Sequence, residues 1–153
     1  MTNWITLPFS QLTTLQLYEL MRLRVDVFVV EQTCPYPELD GKDTLNGVYH
    51  LLGYNDDELV ACARLLPAGT TYDNVSIGRV VTKKTARGGG LGHKLLEEAL
   101  TQCEALWPEQ TIDIGAQEHL IEYYSRHGFD VISDSYLEDG IPHVDMRREV
   151  STK

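Results

Sequence analysis

No apolar run in this 153-residue chain approaches the roughly 20 residues that a membrane-spanning helix requires. The opening Met1-Thr2-Asn3-Trp4-Ile5 lacks the basic stretch and apolar segment of a secretory signal. Cysteine is scarce: Cys34, Cys62 and Cys103 are widely spaced and form no CxxC pair, which excludes a zinc ribbon or thioredoxin-type site. They read as free thiols of a reducing compartment. Positive charge is also short. Thirteen Lys and Arg stand against 23 Asp and Glu, a net charge of −10, which argues against duplex nucleic-acid binding and against docking on anionic membranes. The expectation is a soluble cytoplasmic protein. Internal repeats, low-complexity tracts and linkers are absent as well, so residues 1–153 read as a single domain. With 42% hydrophobic residues the chain can build a core without a disulfide or metal staple.

Periodicity divides the chain into elements. Residues 3–7 read as a short strand. Residues 12–30 carry a helical apolar stripe, Leu17, Leu20, Met21, Val25 and Phe28, with Ser10 or Thr13 as cap. Pro35 and Pro37 forbid its continuation, and 33–47 reads as a loop. Strands follow at 48–54 and 58–66, joined by Asn55-Asp56-Asp57, and a third at 74–82. A helix runs from about Gly90 to Trp107 with Leu91, Leu95, Ala99, Cys103 and Leu106 on one face, ended by Pro108. Then come a strand at 111–115, a helix at 117–127 closed by Gly128, and strands at 129–132 and 143–150, leaving 133–142 as a loop. The order β-α-β-β-β-α-β-α-β-β predicts an α+β fold, a mixed and mostly antiparallel sheet flanked by helices.

The chemistry concentrates in one segment. No acidic residue lies between Asp73 and Glu97, yet that window holds Arg79, Lys83, Lys84, Arg87 and Lys94, together with Gly88, Gly89, Gly90 and Gly92. Amides at a helix start have no intrahelical partner, the helix dipole adds positive charge there, and glycines let a ligand approach the backbone. That combination suits a phosphate or pyrophosphate. The P-loop motif fails, because Gly92 is followed by His93 and then Lys94-Leu95. The dinucleotide fingerprint fails too, because His93 stands where its third glycine belongs.

Arg87-Gly88-Gly89-Gly90-Leu91-Gly92 resembles the R/Q-x-x-G-x-G/A motif of the GNAT superfamily of N-acetyltransferases. Gln117, Tyr124, Gly128 and Phe129 resemble its second motif, with Gln in the usual place of Asn. Arg24 to Gln32, Cys34-Pro35-Tyr36, Asp40-Gly41, Ile77-Gly78-Arg79-Val80 and Asp139 to His143 are similar to the ElaA-like branch. The resemblance covers nearly the whole chain. It implies acetyl-CoA as co-substrate and an amine of a small molecule, peptide or protein as acceptor. It also implies that Val80, Val81 and Thr82 pair with the pantetheine arm. The pyrophosphate would fall to Arg87, Gly88, Gly89, Gly90, Leu91, Gly92 and the backbone of His93, with Gln117 completing the cofactor set. Tyr124 is implied as the acid that protonates the leaving thiolate.

No general base stands out. Glu31, Arg79 and His143 are the candidates for substrate or proton roles: Glu31 by its place after the first helix, Arg79 as an inward-facing arginine or an ion-pair partner, and His143 as a group that titrates near neutral pH. His50, His119 and His127 read as surface or capping residues, and His119 with Glu122 lacks the third ligand of a metal site, so no metal is expected. Cys34 has no basic neighbour in sequence and reads as non-catalytic. Two further readings share these residues: a non-catalytic acyl-CoA sensor on the same fold, and an unrelated nucleotide-binding domain. The second half of the sheet could pair with another copy as a homodimer.

Overall fold

Thr13 starts the first helix through a capping box: its hydroxyl accepts from the Gln16 amide at 3.0 Å, and the Gln16 side chain accepts from the Thr13 amide at 2.9 Å. The computed structural model describes residues 2–150. Helix α1 (Thr14–Arg24) does not run unbroken to residue 30. It widens into a π-helical turn over Val25–Glu31, closed by Gln32 N–H to Val27 O at 3.1 Å and Cys34 N–H to Val29 O at 3.0 Å. β-Branched Val25, Val27, Val29 and Val30 crowd an α-helix, and such turns recur where a helix meets a functional site.

Four strands form an antiparallel meander: β1 (Thr2–Pro8), β2 (Tyr49–Asn55), β3 (Glu58–Leu66) and β4 (Val75–Thr82). Helix α2 (Leu91–Leu106) crosses to β5 (Ile112–Gln117), which lies parallel to β4. Helix α3 (Ile121–Ser125) then leads to β6 (Asp130–Val131), β7 (Tyr136–Glu138) and β8 (Ile141–Arg148). The sheet order is β1-β2-β3-β4-β5-β8-β6, with β7 also on β8.

The α+β reading holds, with three local corrections. A strand, β7, forms inside the segment read as a loop at 133–142, because Asp139-Gly140, both at positive φ, close a tight hairpin onto β8. The helix read from Gln117 is shorter. Gln117 ends β5, a 3-10 turn spans Glu118–Leu120, and only Ile121–Ser125 is α-helical. Gln117 and Tyr124 therefore do not share a helix face. Finally, His50 is buried, not a surface residue, with Nε2 3.0 Å from Asp43 O.

Two apolar layers enclose the sheet. Leu95, Leu96 and Ala99 of α2 and Tyr124 of α3 pack with Val60, Ile77, Ile114 and Met146 on one face. Leu20, Leu23 and Val27 pack with Leu52, Cys62 and Val81 on the other. Burial pushes the Cys62 and Cys103 thiols up to about 12, so both stay protonated. Among the described residues no helix is long and apolar enough to cross a membrane.

Candidate active site

The site begins with two defects in the sheet. Strands β4 and β5 pair only at Val75↔Ile112 and Ser76↔Asp113, then diverge. Within β4, Arg79 adopts φ +51° and the pairing with β3 steps from Cys62↔Val81 to Arg64↔Gly78, a bulge that places Arg79 and Val80 opposite Ala63 alone. The extra residue reverses the side-chain alternation: Val75, Ile77 and Val80 pack on the α2 face, whereas Val81 packs on the α1 face. Splay and bulge together open a cleft of about 710 Å³, lined along its length by residues 76–82 and across from them by Gly115 and Gln117.

One end of the cleft meets the glycine loop. Gly90 caps α2 at φ +80° with no side chain bonded to the first turn, and no acidic residue occupies that turn. The amides of Leu91, Gly92 and His93 lack intrahelical acceptors. Nothing lies within 4 Å of a Cβ built on Gly88, Gly89 or Gly90, so the cradle is open. Tyr123 Oη donates to Gly92 O at 2.5 Å and ties α3 to this turn. The His93 ring turns away, Nδ1 lying 2.9 Å from His127 Nε2, which leaves its backbone toward the loop. Arg87 donates to Thr82 O at 2.8 Å and bidentately to Glu31 at 2.7 and 3.0 Å. That bond holds the Glu31 carboxyl below the usual carboxylate range. Glu31 thus sits against Arg87, the residue that opens the glycine loop.

Tyr124 lines the cleft, 7% exposed, its hydroxyl bonded to none of the described residues. Burial, and then Tyr123, push its phenol well above the ordinary value. Beside it Gln117 and Gln32 exchange side-chain amide bonds at 3.1 and 3.4 Å, bridging β5 to the end of the π-helical turn.

His143 and Arg79 also line the cleft. His143 Nδ1 is 2.7 Å from Ile141 O, so Nδ1 carries a hydrogen and, in the neutral ring, the lone pair is on Nε2. The buried ring stacks on Tyr136, and Nε2 is 3.6 Å from Glu138. The Arg79 guanidinium is engaged in a network: Glu38 Oε2 accepts from Arg79 Nε and from Arg24 Nε, both at 2.7 Å, while Arg24 also reaches Asp43 at 2.7 Å and Arg64 clasps Asp40 at 2.8 Å. Tyr36 donates to Glu38 and lies beneath Arg79.

Val80–Thr82, Arg87, Gly92, Gln117, Tyr124, Glu31, Arg79 and His143 all line this cleft, whereas Gly88, Gly89, Gly90 and His93 lie outside its lining and the Leu91 side chain is buried in the core under α2. The structure also adds residues that sequence reasoning missed: Gln32, Glu38, Asp40, Tyr72 and Asp145. The signal for Glu38 and Asp40 was indirect. Arg64 and Arg79 interrupt apolar strands and require buried partners. Among the described residues no group of three His, Cys, Asp or Glu is placed to hold a metal ion.

Residues 24–150 match the family model of the acetyltransferase (GNAT) domain. Protein ElaA of Escherichia coli K12 is 44% identical over 150 residues, 98% of either chain. The crystal structure of an acyl-CoA N-acyltransferase from Pseudomonas aeruginosa superposes with a TM-score of 0.92 at 46% identity, covering 97% of this chain and 99% of that one. An aminoglycoside 6'-N-acetyltransferase solved with coenzyme A shares the fold at a TM-score of 0.73 and 14% identity, covering 97% of this chain and 98% of that one. A split β4–β5 pair, an uncapped glycine-flanked helix start, a buried tyrosine beside them and near full-length similarity agree: the chain belongs to the GNAT acetyltransferase family, next to ElaA, and is an acyltransferase.

Proposed function

We propose that this acyltransferase is an acetyl-CoA-dependent N-acetyltransferase that acts by direct attack of an acceptor amine. The observation that carries this reading is the continuity of one cleft from the uncapped start of α2 to the unpartnered Tyr124 hydroxyl. The donor set fits the co-substrate: free amides and a glycine cradle for pyrophosphate, the open edge of β4 for the amide-bearing arm. When bound, acetyl-CoA supplies an acetyl group activated as a thioester. A nitrogen–carbon bond forms, the carbon–sulfur bond breaks, the amine loses a proton and the thiolate gains one.

The chain provides for each of these changes. The bulge at Arg79 and Val80 frees backbone N–H from the β3 ladder, a donor for an oxygen that gains charge. Tyr124, held protonated by burial, delivers a proton to the thiolate. His143, with Nε2 free, accepts the proton from the amine, and Glu138 stabilises the resulting imidazolium. Glu138 and Asp139 at this rim favour a cationic or neutral amine of a small molecule, peptide or protein.

Two experiments test the assignment. Gly92→Asp places a carboxylate in the first turn of α2, where a Cβ meets only the Tyr123 ring at ordinary contact distance, 3.6 Å. An acid there is favourable for the helix, so folding is retained while the anion site is blocked. Calorimetry should show acetyl-CoA bound by the wild type, ATP and NADH bound weakly or not at all, and at least about a tenfold loss of acetyl-CoA affinity in Gly92→Asp. Acetyl-CoA bound equally by both proteins removes the loop from the cofactor site.

The second experiment uses an acceptor taken from an amine-library screen for released thiol. His143→Gln lowers kcat/KM by about 10²-fold near neutral pH. The loss shrinks as pH rises, because more amine then arrives already deprotonated. A loss independent of pH assigns His143 a structural role only.

A further inference from the structure

We propose that Tyr72, braced by Asp145, closes the apex of the β4–β5 cleft and restricts this enzyme to short acyl groups; this rests on the acyl-CoA reading above. The apex is where the strands still pair, at Ser76↔Asp113. Two residues farther along β5 lies Gly115, whose partner on β8 is Asp145. Tyr72, three residues before β4, folds back over that glycine. A Cβ at Gly115 would stand 2.7 Å from the Tyr72 hydroxyl and 3.3 Å from that of Tyr136, so any side chain there would displace the Tyr72 hydroxyl from its place beside Asp145.

The phenol is fixed in place. Tyr72 Oη donates to Asp145 Oδ1 at 3.1 Å, and Tyr136 Oη donates to the same oxygen at 2.7 Å. The loop behind it is closed by Gly69 N–H to Tyr72 O at 2.8 Å and pinned by Lys42 Nζ to Thr71 Oγ1 at 2.9 Å. Across the cleft Gly78 presents no side chain; a Cβ there would meet only Leu66, at 3.9 Å. Gly78 and Gly115 therefore flank a slot walled by backbone, with Tyr72 at its end and Leu66 and Ile77 alongside.

From the bulge at Arg79 to the last β4–β5 pair at Ser76 is roughly 10 Å of strand. Tyr72 lines the cleft there, with its hydroxyl over Gly115. An acetyl methyl group stops short of the ring. A longer chain running to the apex must expel the ring, break its bond to Asp145 and leave that carboxylate oxygen with Tyr136 alone. The penalty grows with each methylene.

The test is calorimetric titration of wild type, Tyr72→Leu and Tyr72→Ala with acetyl-, butyryl- and hexanoyl-CoA. Wild type should bind hexanoyl-CoA at least about tenfold more weakly than acetyl-CoA. The ratio of the hexanoyl to the acetyl Kd should fall at least about tenfold in Tyr72→Ala and by an intermediate factor in Tyr72→Leu. Far-UV circular dichroism identifies a variant that has not folded, and Tyr72→Leu, which keeps an apolar plug over Gly115, then carries the test. A wild type that binds hexanoyl-CoA as tightly as acetyl-CoA overturns the proposal, as does a folded variant with the wild-type ratio. Failure of the wild type to bind any of the three acyl-CoAs instead overturns the cofactor reading itself, and the acyl limit with it.

Discussion

Tyr124→Phe should lower kcat by about 10²–10³-fold while acetyl-CoA still binds and the fold is retained. Each part of that expectation has a structural cause. The ring packs edge-on against Phe129 at 5.9 Å and against Tyr123 at 4.9 Å between centroids, and phenylalanine keeps both contacts. The hydroxyl bonds to none of the described residues, so its removal orphans no buried partner and thermal unfolding should change little. What disappears is the hydroxyl to which the proposed mechanism gives the proton transfer. A burial-raised phenol remains protonated throughout the neutral range, and desolvation makes a thiolate beside it more basic by the same effect, so the hydroxyl is available to hydrogen-bond and protonate the leaving sulfur as the carbon–sulfur bond breaks. Steady-state kinetics with a screened amine, alongside calorimetry, separates the outcomes. A kcat within about threefold of wild type, with binding intact, excludes Tyr124 from proton transfer. The absence of turnover in the wild type itself, with tight acetyl-CoA binding, would favour an acyl-CoA sensor on this fold.

The second large effect falls on stability. Arg24 is 1% exposed and its guanidinium holds Glu38 and Asp43, each at 2.7 Å. Arg24→Ala removes the cation and leaves two buried carboxylates short of a partner. Such a break typically costs about 3–5 kcal/mol, a large share of the roughly 5–15 kcal/mol that holds a domain folded. Urea unfolding should show a correspondingly lower midpoint at pH 7. A loss under about 1 kcal/mol would mean that solvent replaces the lost charge, as at an exposed pair. Adding Glu38→Gln should recover part of the loss, since one uncompensated charge then goes.

Acid should act on the same network. Burial alone would raise Asp43 and Asp40, but their bonds to Arg24 and Arg64 overcome it and hold both below the ordinary range. Depressed carboxylates stabilise the fold fully above the ordinary carboxylate range, and that stability is lost as pH falls toward their lowered values. The wild type should therefore weaken below about pH 4, and Arg24→Ala should show a shallower acid response. Glu38 also binds Arg79, whose backbone makes the β4 bulge, so this network supports the reactive part of the cleft as well as the core.

The parts legible in the sequence are those whose chemistry is local along the chain. Basic residues, glycines and a helix start lie within 79–94, and no folding is needed to see that they are concentrated there. The stripe Leu91, Leu95, Ala99 and Cys103 fixed α2 within a residue at each end. Gly128 closes the turn after α3 at φ +91°, as its position indicated. The parts missed depend on distant contacts. Residues 24, 38, 43, 64 and 79 meet only after four strands assemble, and nothing near Glu38 distinguishes it from a solvated loop residue. Strand β7 is three residues long and exists because β8 offers an edge. Gln117 reads as helical because no breaker separates it from Glu118, yet pairing with His143 draws it into β5. Tyr72 and Gly115 are 43 positions apart in sequence, and their dependence on each other becomes visible only as a collision distance.

The brief contact between β4 and β5 also governs how the molecule breathes. β1 to β4 form one antiparallel ladder, and β5 with β6, β7 and β8 a second, each richly bonded within itself. Two residue pairs are all that the ladders share. In amide-exchange terms the inexpensive opening is a parting of these units along that seam, with each ladder intact. A molecule lodged across the seam bonds to both sides and makes the parting costly by mass action. Protection of the second ladder should then report occupancy of the cleft more sensitively than any change in the average position of its walls.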